Sequence, residues 1–330
     1  MSRIAVLGAG AWGTALTISL ARRGGHELVL WAHSASLAEA MTETGRNATY
    51  LPNAMVPMDV QITSDLPAAI FEADIILCVT PSQHLREVIS HIAPLLTRNQ
   101  IILTASKGIE DGSFLRMSQV IASVTNNPIG VLSGPSFAQE VAIGHPTAIV
   151  AAANDGVLAQ AIQQEFNSPS LRVYTNDDVT GVELGGALKN VIALAAGVVH
   201  GLELGSNSAA ALITRGIAEI TRLSVACGGR RQTLAGLSGV GDLVLTCTGS
   251  LSRNRTVGVE LGKGRQLPEI IASLNGKVAE GVRSTTAALG LAARYGVEMP
   301  ITEQMNAVLH HDKSPKEAIR ELMTRPGKDE

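Results

Sequence analysis

A glycine-rich turn near the N-terminus is the feature that most constrains the fold of this chain. The apolar run of residues 3–7 leads directly into Gly8-Ala-Gly-Ala-Trp-Gly13, and a helical pattern follows. In such a strand–turn–helix unit Gly8 permits a tight turn, Gly10 lets the backbone approach a pyrophosphate, and Gly13 allows the helix to pack closely. The helix N-terminus then faces the anion. The turn therefore predicts a dinucleotide site, the alternative being a plain glycine turn.

The end of the next strand indicates which dinucleotide is bound. The run of residues 27–31 completes a βαβ unit and is followed by Ala32-His33-Ser34. An acidic residue at this point would hold the ribose 2′-hydroxyl of NAD. Because none is present, and because His33 and Ser34 can donate to a 2′-phosphate, NADP is favoured over NAD. The alternative is that His33 is simply a solvated loop residue.

Continuous apolar runs at regular spacing predict the fold class. The runs cover residues 60–63, 75–79, 101–104, 129–132, 148–152 and 171–174, with helical patterns such as 83–92 and 113–124 between them. Continuous apolarity is typical of parallel strands buried on both faces. From Val179 onward the apolar residues recur at helical spacing instead. We therefore expect an α/β protein, with a Rossmann-type doubly wound sheet in residues 1–178 and an all-helical substrate-binding domain in residues 179–330.

The net charge and the cysteines indicate which kinds of binding partner and which cellular compartment to expect. The net charge of −3 argues against nucleic-acid binding and against attachment to a membrane surface. The cysteines, Cys78, Cys227 and Cys247, have none of the paired spacings of a metal or disulfide site. We expect no leader peptide, and no uninterrupted apolar run reaches the length of a membrane span. These observations favour a cytoplasmic protein without stable membrane insertion.

A lysine in an otherwise apolar helix is the first candidate for catalysis. Lys189 follows Glu183-Leu-Gly-Gly-Ala-Leu and precedes the apolar run 191–199. Apolar surroundings lower the pKa of an ammonium, which suits a proton donor and acceptor. Gly185 and Gly186 lie one turn away and are expected to leave room for a ligand. The alternative is a lysine that reaches the surface, with the glycines serving close helix packing.

Two further segments of the helical half carry polar side chains at suggestive spacing. Asp242 and Thr246 stand four residues apart and would share a helical face, although Asp242 could instead be an N-cap. Ser252-Arg-Asn-Arg255 concentrates donors matched to the oxygens of a phosphate dianion. The alternative for this cluster is a solvated basic turn.

Two loops of the first half lie where parallel strands end. Lys107 follows a buried strand and would place a positive donor on the cofactor face, unless it is a surface lysine. Gly134-Pro-Ser136 follows the next strand and could hold a polyol or phosphate with its amides and hydroxyl. Both loops are therefore candidates for ligand contact.

Together these motifs resemble one enzyme family along nearly the whole chain. The segments that carry the resemblance are Gly8-Ala-Gly-Ala-Trp-Gly-Thr-Ala15, Lys107-Gly108, Ser133-Gly-Pro-Ser-Phe-Ala138, Gly185-Gly-Ala-Leu-Lys-Asn190, Gly241-Asp-Leu-Val-Leu-Thr-Cys-Thr248, Ser252-Arg-Asn-Arg255 and Val297-Glu-Met-Pro-Ile-Thr302. The sequence is similar to bacterial NAD(P)-dependent glycerol-3-phosphate dehydrogenases. The resemblance implies a homodimer that reversibly interconverts dihydroxyacetone phosphate and sn-glycerol 3-phosphate for phospholipid synthesis.

The family pattern assigns roles to individual residues. It makes Lys189 the catalytic acid/base. For the mechanism we expect Lys107 to add positive charge and Asp242 to orient the ammonium or a substrate hydroxyl. Substrate contacts, from the pattern and from the spacing above, are expected at Lys107, Gly134, Ser136, Lys189, Asn190, Asp242, Thr246, Ser252, Arg253 and Asn254. Cofactor contacts are expected at Gly8, Gly10, Ala11, Trp12, Gly13, His33, Tyr50, Lys107, Ala138, Arg253, Val278 and Glu280. No metal is expected.

Two positions depart from the family pattern, and two rival functions stay open. Relatives often carry serine at position 11, where Ala11 offers a pyrophosphate only its backbone amide. Ser136 stands where threonine is common and keeps the hydroxyl. Another β-hydroxyacid-type dehydrogenase would not need the cluster at Ser252-Arg-Asn-Arg255. A non-catalytic nucleotide-sensing protein would not need a buried Lys189 beside Asp242.

Overall fold

The computed structural model describes residues 1–274 and 279–327, which divide into two compact units. The first unit comprises Met1–Glu110 and Leu115–Glu183, and the second comprises Asp111–Phe114 and Leu184–Glu330. A four-residue segment from the middle of the first half thus belongs to the second unit. Each unit is described separately below.

The first unit alternates strands and helices. Its strands are β1 (Ser2–Leu7), β2 (His26–Trp31), β3 (Arg46–Asn47), β4 (Leu51–Met55), β5 (Gln61–Thr63), β6 (Ile75–Cys78), β7 (Ile101–Thr104), β8 (Ile129–Ser133), β9 (Thr147–Ala152) and β10 (Leu171–Asn176). Its helices are α1 (Ala11–Arg23), α2 (Ala35–Thr44), α3 (Leu66–Ile70), α4 (Leu85–Ile92), α5 (Met117–Ala122), α6 (Ala138–Ile143) and α7 (Gly156–Phe166), with 3₁₀ turns at Ser82–His84 and Ala93–Leu95.

Eight of the strands form one sheet in the order β10-β9-β8-β7-β6-β1-β2-β5. All neighbouring pairs are parallel except β8 and β9, which are antiparallel. The chain leaves β1 toward β2 and later returns to β6 on the other side of β1. Ligands of such sheets bind at the carboxyl ends of the strands where the winding reverses. The predicted doubly wound, mainly parallel sheet is confirmed.

The core of the first unit lies on both faces of this sheet. Ile4 and Val6 of β1 point into one apolar cluster, which includes side chains of α1, α6 and α7. Ala5 and Leu7 point into the other cluster, which includes side chains of α3, α4 and α5. Successive side chains of a strand alternate between faces. The continuous apolarity of β1 therefore follows from burial on both sides.

Two local features differ from the sequence-based expectation. Strands β3 and β4 form a separate antiparallel pair, which the sequence does not predict because its apolar residues do not alternate there. The helix expected over residues 113–124 begins only at Met117, because Phe114 has a left-handed backbone with φ of 58° and Arg116 bridges to Ile109. A side chain at positive φ does not fit an α-helix.

The second unit is built from helices. They are α8 (Val179–Gly201, which starts in the first unit), α9 (Gly205–Ala226), α10 (Arg231–Leu234), α11 (Asp242–Thr248), α12 (Arg253–Gly262), α13 (Leu267–Ser273), α14 (Glu280–Tyr295), α15 (Pro300–His310) and α16 (Pro315–Met323), with a π turn at Leu237–Gly241. Every element described after β10 is helical, as predicted. Helix α8 is long and apolar enough to cross a bilayer, but its apolar window is 100% buried inside the protein. It is the core helix of this unit.

Four glycines bring α8 and α12 into backbone contact. A methyl group on Gly197 would lie 2.1 Å from the carbonyl oxygen of Arg255, and one on Gly258 would lie 2.0 Å from that of Leu194. Gly201 and Gly262 make the equivalent close approach one turn further along each helix. Neither helix can carry a side chain at these positions without moving away from its partner.

A buried carboxylate ties α9 to the start of α15. Glu219 accepts hydrogen bonds from the amides of Ile301 and Thr302, both at 2.9 Å, and from the Thr302 hydroxyl at 2.6 Å. Its oxygens thereby satisfy donors that the first turn of α15 leaves unpaired. Burial raises the pKa of the Glu219 carboxyl, although these hydrogen bonds act in the opposite direction.

Candidate active site

The glycine turn after β1 has the shape that a pyrophosphate needs. Gly8 has φ of 123°, and a methyl group there would lie 2.8 Å from the carbonyl oxygen of Val79. At Gly13 a methyl group would lie 1.9 Å from the carbonyl oxygen of Gly8, whereas at Gly10 it would meet nothing within 4 Å. Gly10 precedes α1 and offers the first-turn amides no side-chain acceptor. Two glycines are thus required by packing, while the third leaves open space beside uncapped amides.

The end of β2 carries no carboxylate, in keeping with the sequence. His33 is exposed, and its ring lies edge-on to Trp31 with 5.9 Å between centroids. Ser34 accepts a hydrogen bond from the Leu37 amide at 3.3 Å and caps α2. The Ser34 hydroxyl therefore has a structural role as a cap, and both Ser34 and His33 are exposed.

Three predicted residues of the first unit meet at one carbonyl group. Lys107 Nζ donates to the carbonyl oxygen of Gly134 at 3.0 Å, and the Ser136 hydroxyl donates to the same oxygen at 3.0 Å. Gly134 has φ of 123°, and a methyl group there would lie 3.1 Å from the Ile149 Cα. The loops after β7 and β8 therefore bring an ammonium and a hydroxyl together.

A lysine–carboxylate pair forms the polar centre of the second unit. Lys189 Nζ donates to Asp242 Oδ1 at 2.5 Å, and both side chains are buried. Asp242 is the first residue of α11, preceded by Gly241, so it is not the N-cap. Thr246 lies one turn on, and its hydroxyl donates to the Asp242 carbonyl oxygen at 2.6 Å. The predicted shared face of Asp242 and Thr246 is present, and the carboxylate balances the charge of the buried ammonium.

The expectation that Gly185 leaves room for a ligand is wrong. A methyl group on Gly185 would lie 2.3 Å from the carbonyl oxygen of Ser238. That space is filled by the backbone of the turn that precedes α11. Gly185 therefore serves close packing of α8, which sets the distance between Lys189 and Asp242.

A second polar network links α8, α12 and α14. Asn254 Nδ2 donates to Asn190 Oδ1 at 2.9 Å, and Asn254 Oδ1 accepts from the Gly281 amide at 3.0 Å. Ser252 accepts from the Arg255 amide at 3.2 Å and caps α12. The cluster at Ser252-Arg-Asn-Arg255 is thus partly structural, because two of its four side chains hold helices in place.

The remaining predicted residues fall at helix starts and in loops. Arg253 is exposed and, within the part of the chain that the structure describes, forms no ion pair. Glu280 begins α14 and is half-buried, while Val278 lies outside the described residues. Ala11, Trp12, Tyr50 and Ala138 are half-buried; Ala11 and Trp12 open α1, and Ala138 opens α6.

Two residues near these groups were not predicted from the sequence. Cys247 follows Thr246, and burial raises the pKa of its thiol to about 12, although the charge of Lys189 acts to lower it. This thiol is therefore not a nucleophile at neutral pH. Asn47 is fully buried against the glycine turn. No spacing rule marks an isolated asparagine in a connecting segment, so only the folded structure could find it.

Models of one family match the two halves of the chain. The N-terminal model of NAD-dependent glycerol-3-phosphate dehydrogenase matches residues 3–159, and the C-terminal model matches residues 178–320. A glycerol-3-phosphate dehydrogenase [NAD(P)+] of Acidobacterium capsulatum is 61% identical, covering 100% of both chains. That of Koribacter versatilis is 58% identical, covering 100% of this chain and 99% of its own.

Solved structures give the same result. The glycerol-3-phosphate dehydrogenase of Coxiella burnetii superposes with a TM-score of 0.94 at 42% identity, covering 98% of this chain and 99% of its own. A ketopantoate reductase from Ralstonia eutropha, 16% identical, has a TM-score of 0.63 over 96% of this chain and 99% of its own, which shows a shared fold alone. With both domain models and close full-length relatives in agreement, the chain belongs to the NAD-dependent glycerol-3-phosphate dehydrogenase family.

Proposed function

We propose that this protein catalyses the reversible NAD(P)H-dependent reduction of dihydroxyacetone phosphate to sn-glycerol 3-phosphate. The observation that carries the proposal is the buried pair of Lys189 and Asp242, with 2.5 Å between nitrogen and oxygen. A buried ion pair is costly to build, and a hydrophobic pair is often at least as stable. Its presence beside an amide network in a member of this family therefore supports a catalytic role.

The residues around the glycine turn fit a dinucleotide. The open space at Gly10 and the uncapped amides of α1 suit a pyrophosphate, and His33 suits a 2′-phosphate. The other cofactor contacts assigned to this chain are Ala11, Trp12, Tyr50, Lys107, Ala138, Arg253, Val278 and Glu280. A bound reduced nicotinamide supplies the hydride. The absence of a carboxylate after β2 supports NADP as the favoured cofactor, with NAD as the alternative.

The proton is assigned to Lys189. As an ammonium it donates a hydrogen bond to the substrate carbonyl oxygen and gives its proton to that oxygen as alkoxide character develops. Asp242 holds the ammonium in place, and the Thr246 hydroxyl braces the first turn of α11 that carries Asp242. Lys107 supplies a second positive charge for the polar substrate. In the reverse direction neutral Lys189 accepts the proton of the alcohol.

The phosphate is assigned to the start of α12. Arg253 is exposed and supplies a guanidinium, while Ser252 and Asn254 complete the donor set. Asn254 has one N–H on Asn190, so its second N–H is the one assigned to substrate. Gly134 and Ser136 are assigned to the glycerol end of the substrate.

Membership of the family supports a proposal about the wider biological setting. We assign cofactor binding to residues 1–178 and substrate binding to residues 179–330. The protein is proposed to act in the cytoplasm as a homodimer and to supply glycerol 3-phosphate for phospholipid synthesis. Light scattering at several concentrations tests the dimer, and a monomer at all of them would contradict it.

One experiment tests the chemistry. With dihydroxyacetone phosphate and NADPH, the wild-type protein should consume the absorbance of the reduced nicotinamide. Lys189→Ala should lower kcat by roughly 10²–10⁴-fold and leave NADPH affinity within about twofold. The matched control is Lys263→Ala, which removes an exposed lysine paired with Glu260 at 3.2 Å and should change neither. Thermal unfolding is measured alongside, because Lys189→Ala leaves the Asp242 carboxylate buried without its cation.

The outcomes also separate the rival functions. If Lys189→Ala keeps most of the wild-type rate, the assignment of the proton donor is wrong. Turnover of ketopantoate in place of dihydroxyacetone phosphate would indicate another β-hydroxyacid-type dehydrogenase. NADPH binding without turnover of any ketone would indicate a nucleotide-sensing protein. A parallel measurement with NADH decides the cofactor preference.

A further inference from the structure

Asn47 is a fully buried amide that touches three separate parts of the nucleotide half. Its Nδ2 donates to the carbonyl oxygen of Ala9 at 2.8 Å and to the hydroxyl of Thr14 at 2.8 Å. Its Oδ1 accepts from the amide of Tyr50 at 3.0 Å. An asparagine side chain has two N–H donors and a carbonyl acceptor, so both donors and the acceptor oxygen are engaged.

The bond to Ala9 fixes the orientation of a peptide group in the glycine turn. Ala9 lies between Gly8 and Gly10, and its carbonyl is the one joined to the Gly10 amide. A trans peptide is planar, so its C=O and N–H point in opposite directions. Holding the Ala9 carbonyl on Asn47 therefore turns the Gly10 N–H away from Asn47. Gly10 is the glycine of this turn with open space beside it.

The other two hydrogen bonds of Asn47, with Thr14 and Tyr50, connect the turn to neighbouring segments. Thr14 lies in the first turn of α1, whose amides at the N-terminus have no side-chain cap. The Tyr50 amide belongs to the segment between β3 and β4, outside the main sheet. A single side chain therefore links the glycine turn, the start of α1 and the segment of Tyr50. A glycine turn is otherwise free to rearrange, because glycine loses more conformational freedom on folding than any other residue.

We propose that Asn47 is a positioning residue for the dinucleotide: it holds the Gly8–Gly13 turn in its binding conformation and does not itself touch the cofactor. The inference rests on the proposed function, because it assumes that the nucleotide binds at this turn. The arrangement requires the protein to bury one amide side chain. In return the glycine turn is ordered before the ligand arrives, which removes an ordering penalty from nucleotide binding.

The test compares Asn47 with a matched amide far from the carboxyl ends of the strands. Gln100 is also buried, its Nε2 donates to the carbonyls of Ile70 and Ala73, and its Oε1 accepts from the Thr97 amide. It precedes β7, at the end of the sheet opposite to the nucleotide turn. Asn47→Ala and Gln100→Ala therefore each remove two donated side-chain hydrogen bonds and one accepted one from the same unit.

Three quantities are measured for each variant: the Kd of NADPH by fluorescence titration, steady-state constants for dihydroxyacetone phosphate at saturating NADPH, and Tm. Asn47→Ala should raise the Kd of NADPH about 10- to 100-fold, the range for losing the two buried hydrogen bonds to Ala9 and Thr14. Its kcat and its KM for dihydroxyacetone phosphate should stay within about threefold. Gln100→Ala should lower Tm by about as much as Asn47→Ala does, but it should leave the Kd of NADPH within about twofold of the wild-type value.

A second variant keeps the proposal testable if Asn47→Ala does not fold. Asn47→Asp has the same size and keeps the acceptor for Tyr50 but loses both donors, so it should raise the Kd at least as much. Thr14→Val leaves the bond to Ala9 intact and should raise the Kd less than either. Equal Kd values for the Asn47 and Gln100 variants overturn the proposal. Failure of the wild type to bind either NADPH or NADH would instead overturn the proposed function, and the Asn47 proposal with it.

Discussion

The contact between α8 and α12 allows one prediction to be worked from distances. A methyl group on Gly258 would lie 2.0 Å from the Leu194 carbonyl oxygen and 2.9 Å from the Gly197 Cα. Ordinary contact begins at 3.4 Å, so Gly258→Ala must separate the helices by roughly 1.4 Å. Both obstacles are backbone atoms, which cannot be relieved by a change of rotamer. Overpacking of this kind costs about 1–3 kcal/mol of stability.

The same displacement should impair catalysis, because α8 carries Lys189 and α12 begins with Arg253. A misplacement of about 1 Å between reacting groups can cost on the order of 10²-fold in rate. We therefore expect Gly258→Ala to lower kcat/KM for dihydroxyacetone phosphate by about 10- to 100-fold. NADPH affinity should fall by less, because the glycine turn belongs to the first unit and Arg253 is the one assigned cofactor contact on α12.

The assay pairs urea unfolding with steady-state kinetics. The control is Gly156→Ala at the start of α7, where a methyl group meets nothing within 4 Å and φ is not left-handed. That variant should be neutral or stabilised by about 0.4–1 kcal/mol. If Gly258→Ala keeps both the wild-type unfolding midpoint and kcat/KM, the helices can separate freely. The glycine contact would then not set the geometry of the site.

Three further measurements address the phosphate cluster, the thiols and a buried carboxylate. Arg253→Ala should raise the KM for dihydroxyacetone phosphate about 10- to 100-fold, the range for a lost charge-assisted hydrogen bond; an equal loss with unphosphorylated dihydroxyacetone contradicts the phosphate role. At about pH 8 a thiol reagent should label only the partly exposed Cys227 in the folded protein, because burial raises the pKa of Cys78 and Cys247 to about 12. Labelling of either buried thiol without unfolding would be inconsistent with this. Burial also raises the pKa of the Glu219 carboxyl above its value in the unfolded chain. The free energy of unfolding should therefore decrease as pH rises above the usual range of glutamate. As pH rises above the usual range of glutamate, the urea midpoint of the wild type should therefore fall relative to that of Glu219→Gln, and a constant difference would contradict the reasoning.

Local patterns predicted most of the fold. The strand–turn–helix at Gly8–Gly13 and the buried strands were readable because apolar periodicity and glycine spacing are properties of short segments. The pair β3–β4 was not, since Arg46 and Asn47 have no alternating apolar neighbours and pair only because the loop folds back. The helix over residues 113–124 is predicted to start too early for a related reason. The residue types there suit a helix, and they do not reveal the left-handed backbone at Phe114.

The candidate site could be predicted by residue type but not by geometry. Lys189 and Asp242 are 53 residues apart, so their pairing depends on how α8 packs against the turn before α11. The same packing explains why the expectation of ligand space beside Gly185 is wrong. The space beside a glycine can be filled by a ligand or by distant backbone, and only the tertiary structure shows which of the two is present. Asn47 was missed because its importance comes entirely from the groups that surround it.

Helix α8 also has a consequence for how relatives of this protein can diverge. Its buried polar side chains, Glu183, Lys189 and Asn190, each hydrogen-bond a side chain at least 53 residues away in sequence. Removing one member of a buried charged pair costs about 3–5 kcal/mol, whereas replacing both by apolar groups can be neutral. Positions 189 and 242 should therefore covary, with lysine and aspartate kept or lost together. A homologue that keeps the glycine turn but has apolar residues at both positions should still fold and bind nucleotide, without the chemistry.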